Sequence, residues 1–158
     1  MSWAKGADVV EDLLGRGHLE RVQADPVEAQ YLLERAGQDL QTAEREADLD
    51  PEIAYDALYA AARKALTAVL RQQGLRPTRE GGHEVVIRAA EAKLVPPAGP
   101  ILRPYRRLRS QRGRGDYQAS EGAIHREDVQ ADLPAARAIV DAAADVTPHM
   151  PVFVPGRR

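Results

Sequence analysis

The chain has 158 residues, enough for one domain with a continuous core, and it lacks cysteine, which excludes disulfides, thiolate metal sites and cysteine nucleophiles. No apolar run approaches the roughly 20 residues that cross a bilayer, and the first residues do not form a signal peptide, so we expect a soluble, cytoplasmic protein with no membrane partner. The net charge of −2 conceals an asymmetry, because residues 103–114 carry six arginines and no acid while the rest sums to −8.

Residues that typically start or end helices predict three helices in the first half of the chain. The first covers residues 2–14 and stops at the glycines that follow. Asp25-Pro26 and Asp50-Pro51 each combine an N-cap with a proline in the first turn, and each opens a long helix with an apolar stripe. Two long helices joined by a short turn are expected to pack antiparallel.

The second half predicts a shorter helix over 83–94, a short arginine-rich helix over about 101–112 and a last helix over 126–145. Pro104 either kinks the arginine-rich helix or begins it, and the glycines after Arg112 are expected to end it. No stretch shows the alternation of a strand. We therefore predict an all-α, up-down bundle of four main helices plus one or two short ones, one domain over 1–146, with a loose tail over 147–158.

The arginine-rich segment is the candidate functional region. A guanidinium group grips a phosphate through two parallel hydrogen bonds and stays charged at every working pH. Arg112 is expected near the end of its helix, where it would hold a phosphodiester beside Tyr117. The alternative is a solvated basic face that pairs with acids elsewhere in the domain, which is what most charged runs are.

Other kinds of site lack their sequence signals. There is no phosphate-binding glycine loop with lysine, no nucleophile elbow and no His-Glu-x-x-His pair. The four histidines lie far apart in sequence and lack metal-ligand spacing, so we expect no metal and no cofactor.

Residues 54–78, AYDALYAAARKALTAVLRQQGLRPT, followed by Gly81-Gly82-His83, resemble the core helix and loop of HEPN domains, the higher-eukaryote and prokaryote nucleotide-binding domains. The resemblance covers about residues 25–145. It implies a helical bundle, often dimeric, whose motif of an arginine, four to six residues and a histidine forms a metal-independent ribonuclease site. It also implies toxin or defence proteins, frequently paired with a nucleotidyltransferase-type antitoxin.

This chain departs from that motif. Arg112 matches the arginine, but Tyr117 stands at the histidine position and Gly113 replaces the polar residue that often follows the arginine. A tyrosine with a pKa of about 10 is a poor base at pH 7, and loss of an acid–base group removes about 10²–10⁴-fold in rate. Tyr117 would instead bind phosphate, stack on a base or accept a nucleotidyl group. Further contacts to RNA or phosphate are assigned to three arginines, Arg106, Arg109 and Arg114.

Two histidines are further candidates. His125 lies at the start of the last helix, where it either caps the helix or reaches Arg112, and His83 is first a structural contact and second a site residue. Tyr55 and Tyr59 are interpreted as packing residues whose hydroxyl groups reach the rim. Three functions stay open: a dimeric RNA- or nucleotide-binding protein with weak or no ribonuclease activity, an active metal-independent endoribonuclease toxin, and a non-enzymatic interaction module.

Overall fold

The computed structural model describes residues 4–117 and 123–155, with the backbone alone for 114–117. Within these ranges the chain forms α-helices, one two-stranded sheet and a final 3-10 turn. The elements, in chain order, are α1 (Ala7–Gly15), β1 (Leu19–Arg21), α2 (Pro26–Glu46), α3 (Pro51–Gln72), β2 (Leu75–Pro77), α4 (Gly82–Leu94), α5 (Gly99–Leu102), α6 (Tyr105–Tyr117), α7 (Arg126–Val146) and the turn Thr147–His149. The predicted all-α class is confirmed.

The two long helices begin where the sequence places them. The Asp25 carboxylate accepts a hydrogen bond from the Glu28 amide at 2.9 Å, and the Asp50 carboxylate accepts one from the Ile53 amide at 3.2 Å. In each helix the proline follows directly, where its missing N–H leaves no gap in the hydrogen-bond ladder. Local chemistry therefore fixes both start points.

Helix α3 is the centre of the bundle and packs against α2, α4, α6 and α7. Its buried side chains cover much of its circumference, and many of them are alanines such as Ala61, Ala62 and Ala65. Small side chains let neighbouring helices approach closely, which suits a chain whose aromatic content is only 4%.

A second apolar cluster lies at one end of α3 and α4 and is built by α1 and the small sheet. Strand β1 pairs antiparallel with β2, with Leu19 opposite Pro77 and Arg21 opposite Leu75. The sequence analysis did not predict this sheet, because strands of three residues are too short to show alternation. The sheet positions the loop between β2 and α4.

The arginine-rich region agrees with one expectation and differs from another. Pro104 lies between α5 and α6 and directly precedes α6, so of the two alternatives the proline begins the helix and does not kink it. Helix α6 continues through Gly113 to Tyr117, whereas the glycines were expected to stop it at Arg112. Glycine inside a helix costs about 1 kcal/mol relative to alanine, a cost that does not by itself end a helix.

The termini also differ from expectation within the described residues. Helix α1 starts at Ala7, after Gly6 with φ 72°, and part of the predicted range 2–14 lies outside the description. The expected loose tail is wrong as far as Phe153, since Met150 and Phe153 are both 4% exposed and the Phe153 amide donates to the Gln73 carbonyl at 2.8 Å.

Candidate functional site

Helix α6 turns one face to the core and another to solvent. Tyr105 and Leu108 are fully buried, and spacing of three residues places them on the same side of the helix. Among the arginines of α6 with described side chains, Arg106, Arg107 and Arg109 are exposed and Arg112 is half-buried. The predicted segregation of apolar and basic faces is therefore present.

Two of these arginines are held by carboxylates. Arg106 contacts Glu84 at 2.9 Å and Glu91 at 2.6 Å, which ties α6 to α4. Arg107 pairs with the buried Asp132 of α7. This is the pairing with acids elsewhere in the domain that the alternative interpretation of the segment describes.

Arg109 and Arg112 have looser pairs at the surface. Arg109 lies 3.3 Å from Glu84 and Arg112 lies 3.3 Å from Asp56 of α3, with the Arg112 and Asp56 side chains 40% and 55% exposed. Exposed pairs contribute about 0–1 kcal/mol, so a phosphate can replace these carboxylates at little cost. Arg109 and Arg112 therefore remain suited to anion binding.

A chain of polar contacts links the core to this face. The Tyr59 hydroxyl lies 2.9 Å from Nδ1 of His83 and 3.5 Å from the Tyr105 hydroxyl. Burial raises the pKa of Tyr105, so its phenol stays protonated. Since Tyr59 engages Nδ1, Nε2 is the ring nitrogen left to meet a ligand.

His83 sits in a positive environment. Partial burial lowers its pKa, and the charges of Arg63, Arg109 and Arg112 lower it further. A lowered pKa favours the neutral form of the imidazole near pH 7. We call Tyr59, Arg63, His83, Arg109 and Arg112 the His83 site.

One predicted residue, His125, is not part of this arrangement, and the side chains of two others are not described. His125 is exposed and is the N-cap residue of α7, where its amide donates to Asp128 at 2.8 Å. The backbone places Tyr117 and Arg114 on the same helix as Arg112, and their side chains lie outside the described part of the chain.

Two members of the His83 site were not identified as site residues from sequence. Arg63 lies in the middle of α3, half-buried, and Tyr59 precedes it by one turn. Tyr59 was interpreted as a packing residue with its hydroxyl at the rim, which fits its 3% exposure. The available signal was a basic residue directly after the buried alanines of α3.

A surface pocket of about 510 Å³ adjoins His83. It lies between α3, β2 and the start of α4. Its lining residues are Arg63, Thr67, Arg76, Pro77, Thr78, Arg79, Gly82, His83 and Val86, which we call the Arg63 pocket.

Neither a metal cluster nor a membrane span is found in the described ranges. No three His, Asp or Glu side chains there come together as metal ligands. None of the helices described combines the length and apolarity that crossing a bilayer requires.

Comparison with protein-family models gives a match to the HEPN domain over residues 29–146. The match spans α2 to α7, and therefore includes every member of the His83 site. Comparisons with curated proteins and with solved structures give no match. Since the family model covers well over half of the chain, this protein belongs to the HEPN domain family.

Proposed function

We propose that this HEPN domain binds single-stranded RNA or a nucleotide through the His83 site. The observation that carries the proposal is the position of His83, whose Nδ1 lies 2.9 Å from the Tyr59 hydroxyl and which lines one pocket with Arg63. The charges of Arg109 and Arg112 also act on this imidazole. Exposed carboxylates only partly offset these charges, since Arg109 pairs with Glu84 and Arg112 with Asp56 at 3.3 Å. A phosphodiester would supply further negative charge at the same place.

The residues have distinct roles in this proposal. Arg109 and Arg112 exchange their carboxylate partners for phosphate oxygens, with charge-assisted hydrogen bonds of the kind guanidinium groups form best. The His83 Nε2 donates or accepts one further hydrogen bond, according to its tautomer. Tyr117, five residues beyond Arg112 on α6, is proposed as an additional phosphate or base contact, with Arg114 as a further phosphate contact.

Metal-independent RNA cleavage is a second candidate, and the position of His83 favours it. In this second proposal, His83 of α4 takes the role of the histidine that the family motif would have at the position of Tyr117. An unprotonated Nε2 of His83 would accept the proton of a 2′-hydroxyl group as the 2′-oxygen forms a bond to phosphorus. The bond from phosphorus to the 5′-oxygen breaks, and water protonates the leaving 5′-oxygen. The arginines would stabilise the charge that grows on the phosphate.

Binding is tested by fluorescence anisotropy with a labelled single-stranded RNA at several salt concentrations. We expect Arg109→Ala with Arg112→Ala to weaken binding at least tenfold and to reduce the salt slope by about 1.4, since each lost single-strand contact removes about 0.7. Arg103→Ala is the matched control, because Arg103 is exposed and precedes α6. Equal affinity of the double variant and the wild type at low salt would refute the proposal.

Cleavage is tested with total RNA in a metal chelator. The ribonuclease hypothesis requires cleavage by the wild type and its loss in both His83→Ala and Arg112→Ala. Loss of cleavage in Tyr117→Phe or in His125→Ala would instead identify that residue as the proton-transfer group. If the wild type binds RNA without cutting it, the ribonuclease hypothesis is wrong and only the binding function stands.

The assembly state and partners are proposed from the family. We propose a homodimer, and a nucleotidyltransferase-type antitoxin as a partner that modifies Tyr117, within a toxin–antitoxin or defence system. Light scattering tests the dimer, and mass spectrometry of Tyr117 after co-expression with a neighbouring nucleotidyltransferase tests the modification. A monomer that docks an acidic protein and ignores RNA would instead be the interaction module.

A further inference from the structure

The Arg63 pocket offers positive charge without a matching acid. Among the described residues that line it, three are arginines and none is acidic. Arg76 is held by Glu20, with its guanidinium nitrogens 2.6 and 2.7 Å from one carboxylate oxygen. Neither Arg63 nor Arg79 forms an ion pair within the described part of the chain. Two guanidinium groups therefore border the pocket with no carboxylate partner among the residues that the structure describes.

The hydroxyl groups in the lining already donate to the protein. Thr67 donates to the Arg63 carbonyl at 2.7 Å, and Thr78 donates to the Gly17 carbonyl at 2.5 Å. Thr78 also accepts from the Gly81 amide at 3.2 Å. Among the side chains of the lining, the polar groups left for a ligand are the guanidinium groups and the His83 ring. The charged guanidinium groups favour an anion over a neutral polar molecule.

The volume and the rest of the lining indicate the size of that ligand. A cavity of about 510 Å³ lies in the range of small-molecule sites and is larger than one phosphate needs. Pro77 and Val86 add apolar surface on which a sugar or base can lie. A phosphate with an attached nucleoside matches this combination.

Arg63 connects the pocket to the His83 site. Its charge acts on His83 and also on Tyr105, and both it and His83 line the pocket. The two anion-binding regions are therefore contiguous.

We infer that the Arg63 pocket is a nucleotide subsite, which takes the nucleotide adjoining the phosphate held at the His83 site. Arg63 and Arg79 bind the phosphate of that nucleotide, and Pro77 and Val86 contact its sugar or base. The inference rests on the proposed function and extends it, because it gives the RNA strand a path from α6 across His83 toward β2.

The test uses a fluorescein-labelled hexauridylate and the full-length chain. We expect Arg79→Ala to weaken binding about tenfold and to reduce the salt slope by about 0.7, the value of one single-strand phosphate contact. Arg79 is an exposed loop residue, so this variant preserves the fold. Arg63→Lys, which keeps the charge and loses the planar fork, is expected to weaken binding as well.

Arg88→Ala is the matched control, since Arg88 is exposed on α4 and lines a different groove beside α1. An unchanged slope in Arg88→Ala with a reduced slope in Arg79→Ala supports the subsite. Equal losses of affinity and of salt slope in both variants would mean that only the overall charge affects binding, and would overturn the subsite.

Two further outcomes separate the inference from the function on which it rests. If Arg79→Ala and Arg63→Lys bind like the wild type while the Arg109/Arg112 double variant is weakened, the subsite is wrong and RNA binding stands. If the double variant also binds RNA like the wild type, the proposed function itself is wrong. Tighter binding of free uridine monophosphate than of the hexauridylate would overturn the path along a strand and assign the pocket to a mononucleotide.

Discussion

The Tyr59 hydroxyl lies 2.9 Å from Nδ1 of His83 and joins the middle of α3 to the first turn of α4. The two residues are 24 positions apart in sequence, and the loop that carries β2 lies between them. The contact orients the imidazole, because an occupied Nδ1 fixes which nitrogen faces a ligand. It places the histidine of the candidate site on α4, whereas the family motif leads one to look for it on the arginine-rich helix.

We predict that His83 titrates below its ordinary pKa of 6.5, because partial burial and the charges of Arg63, Arg109 and Arg112 disfavour the imidazolium. Removing one of these charges, as in Arg109→Ala, should raise the pKa, and binding of RNA should raise it further by supplying negative charge. Histidine NMR titration measures all three values. A His83 pKa at or above 6.5 in the free protein would contradict the geometry.

The same shift has a consequence for stability. A base whose pKa is lower in the folded state than in the unfolded state favours unfolding when it is protonated. The contribution of His83 is therefore fully present above pH 6.5 and is lost as the pH falls through its lowered folded value. Urea midpoints measured between pH 7.5 and 5 should fall less in His83→Gln than in the wild type.

Asp132 of α7 is predicted to stabilise the packing of α7 against α3 and α6. Its carboxylate is 2% exposed, accepts from the Tyr55 hydroxyl at 2.7 Å and pairs with Arg107. Asp132→Ala leaves the buried Tyr55 hydroxyl unpaired and should destabilise the protein by about 2–3 kcal/mol. Urea denaturation measures this loss, and Asp145→Ala, at an exposed position of the same helix, should change stability by less than about 0.5 kcal/mol.

Two glycines should respond in opposite directions to alanine. At Gly37, inside α2, an added Cβ meets no atom within 4 Å, so Gly37→Ala should stabilise the protein by about 0.5–1 kcal/mol. At Gly74, φ is +77° and the Cβ would lie 2.8 Å from the Val22 carbonyl oxygen, so Gly74→Ala should destabilise by about 1–3 kcal/mol. Thermal unfolding of both variants checks the signs, and a stabilising Gly74→Ala would contradict the close approach of α3 and β1.

Phe153 is predicted to hold the end of the chain against α4. Its ring is 4% exposed and lies 5.0 Å from Nζ of Lys93. Phe153→Ala should cost about 3 kcal/mol of stability, because it opens a cavity in the second apolar cluster. The neighbouring Val154→Ala is the control, since Val154 is 73% exposed. Indistinguishable urea midpoints for the two variants would mean that the tail does not contribute to the core.

Much of the helical architecture could be predicted because its signals are local. Asp25-Pro26 and Asp50-Pro51 place a capping carboxylate and a preset φ side by side, and the apolar stripe follows at helical spacing. The end of α6 could not be predicted in this way. Glycine only weakens a helix, so Gly113 is not a sufficient local signal for where α6 ends.

The sequence by itself determined the helical class, the starts of the long helices and the position of the arginine-rich segment, because periodicity, capping and composition act over a few residues. Only the tertiary structure decided which arginines pair with acids and which surround His83. Arg106 and Arg107 pair with carboxylates of α4 and α7, whereas Arg63 lines the same pocket as His83 and its charge lowers the His83 pKa. The field at a site depends on distances in space, and those distances arise only when α3, α4 and α6 pack together.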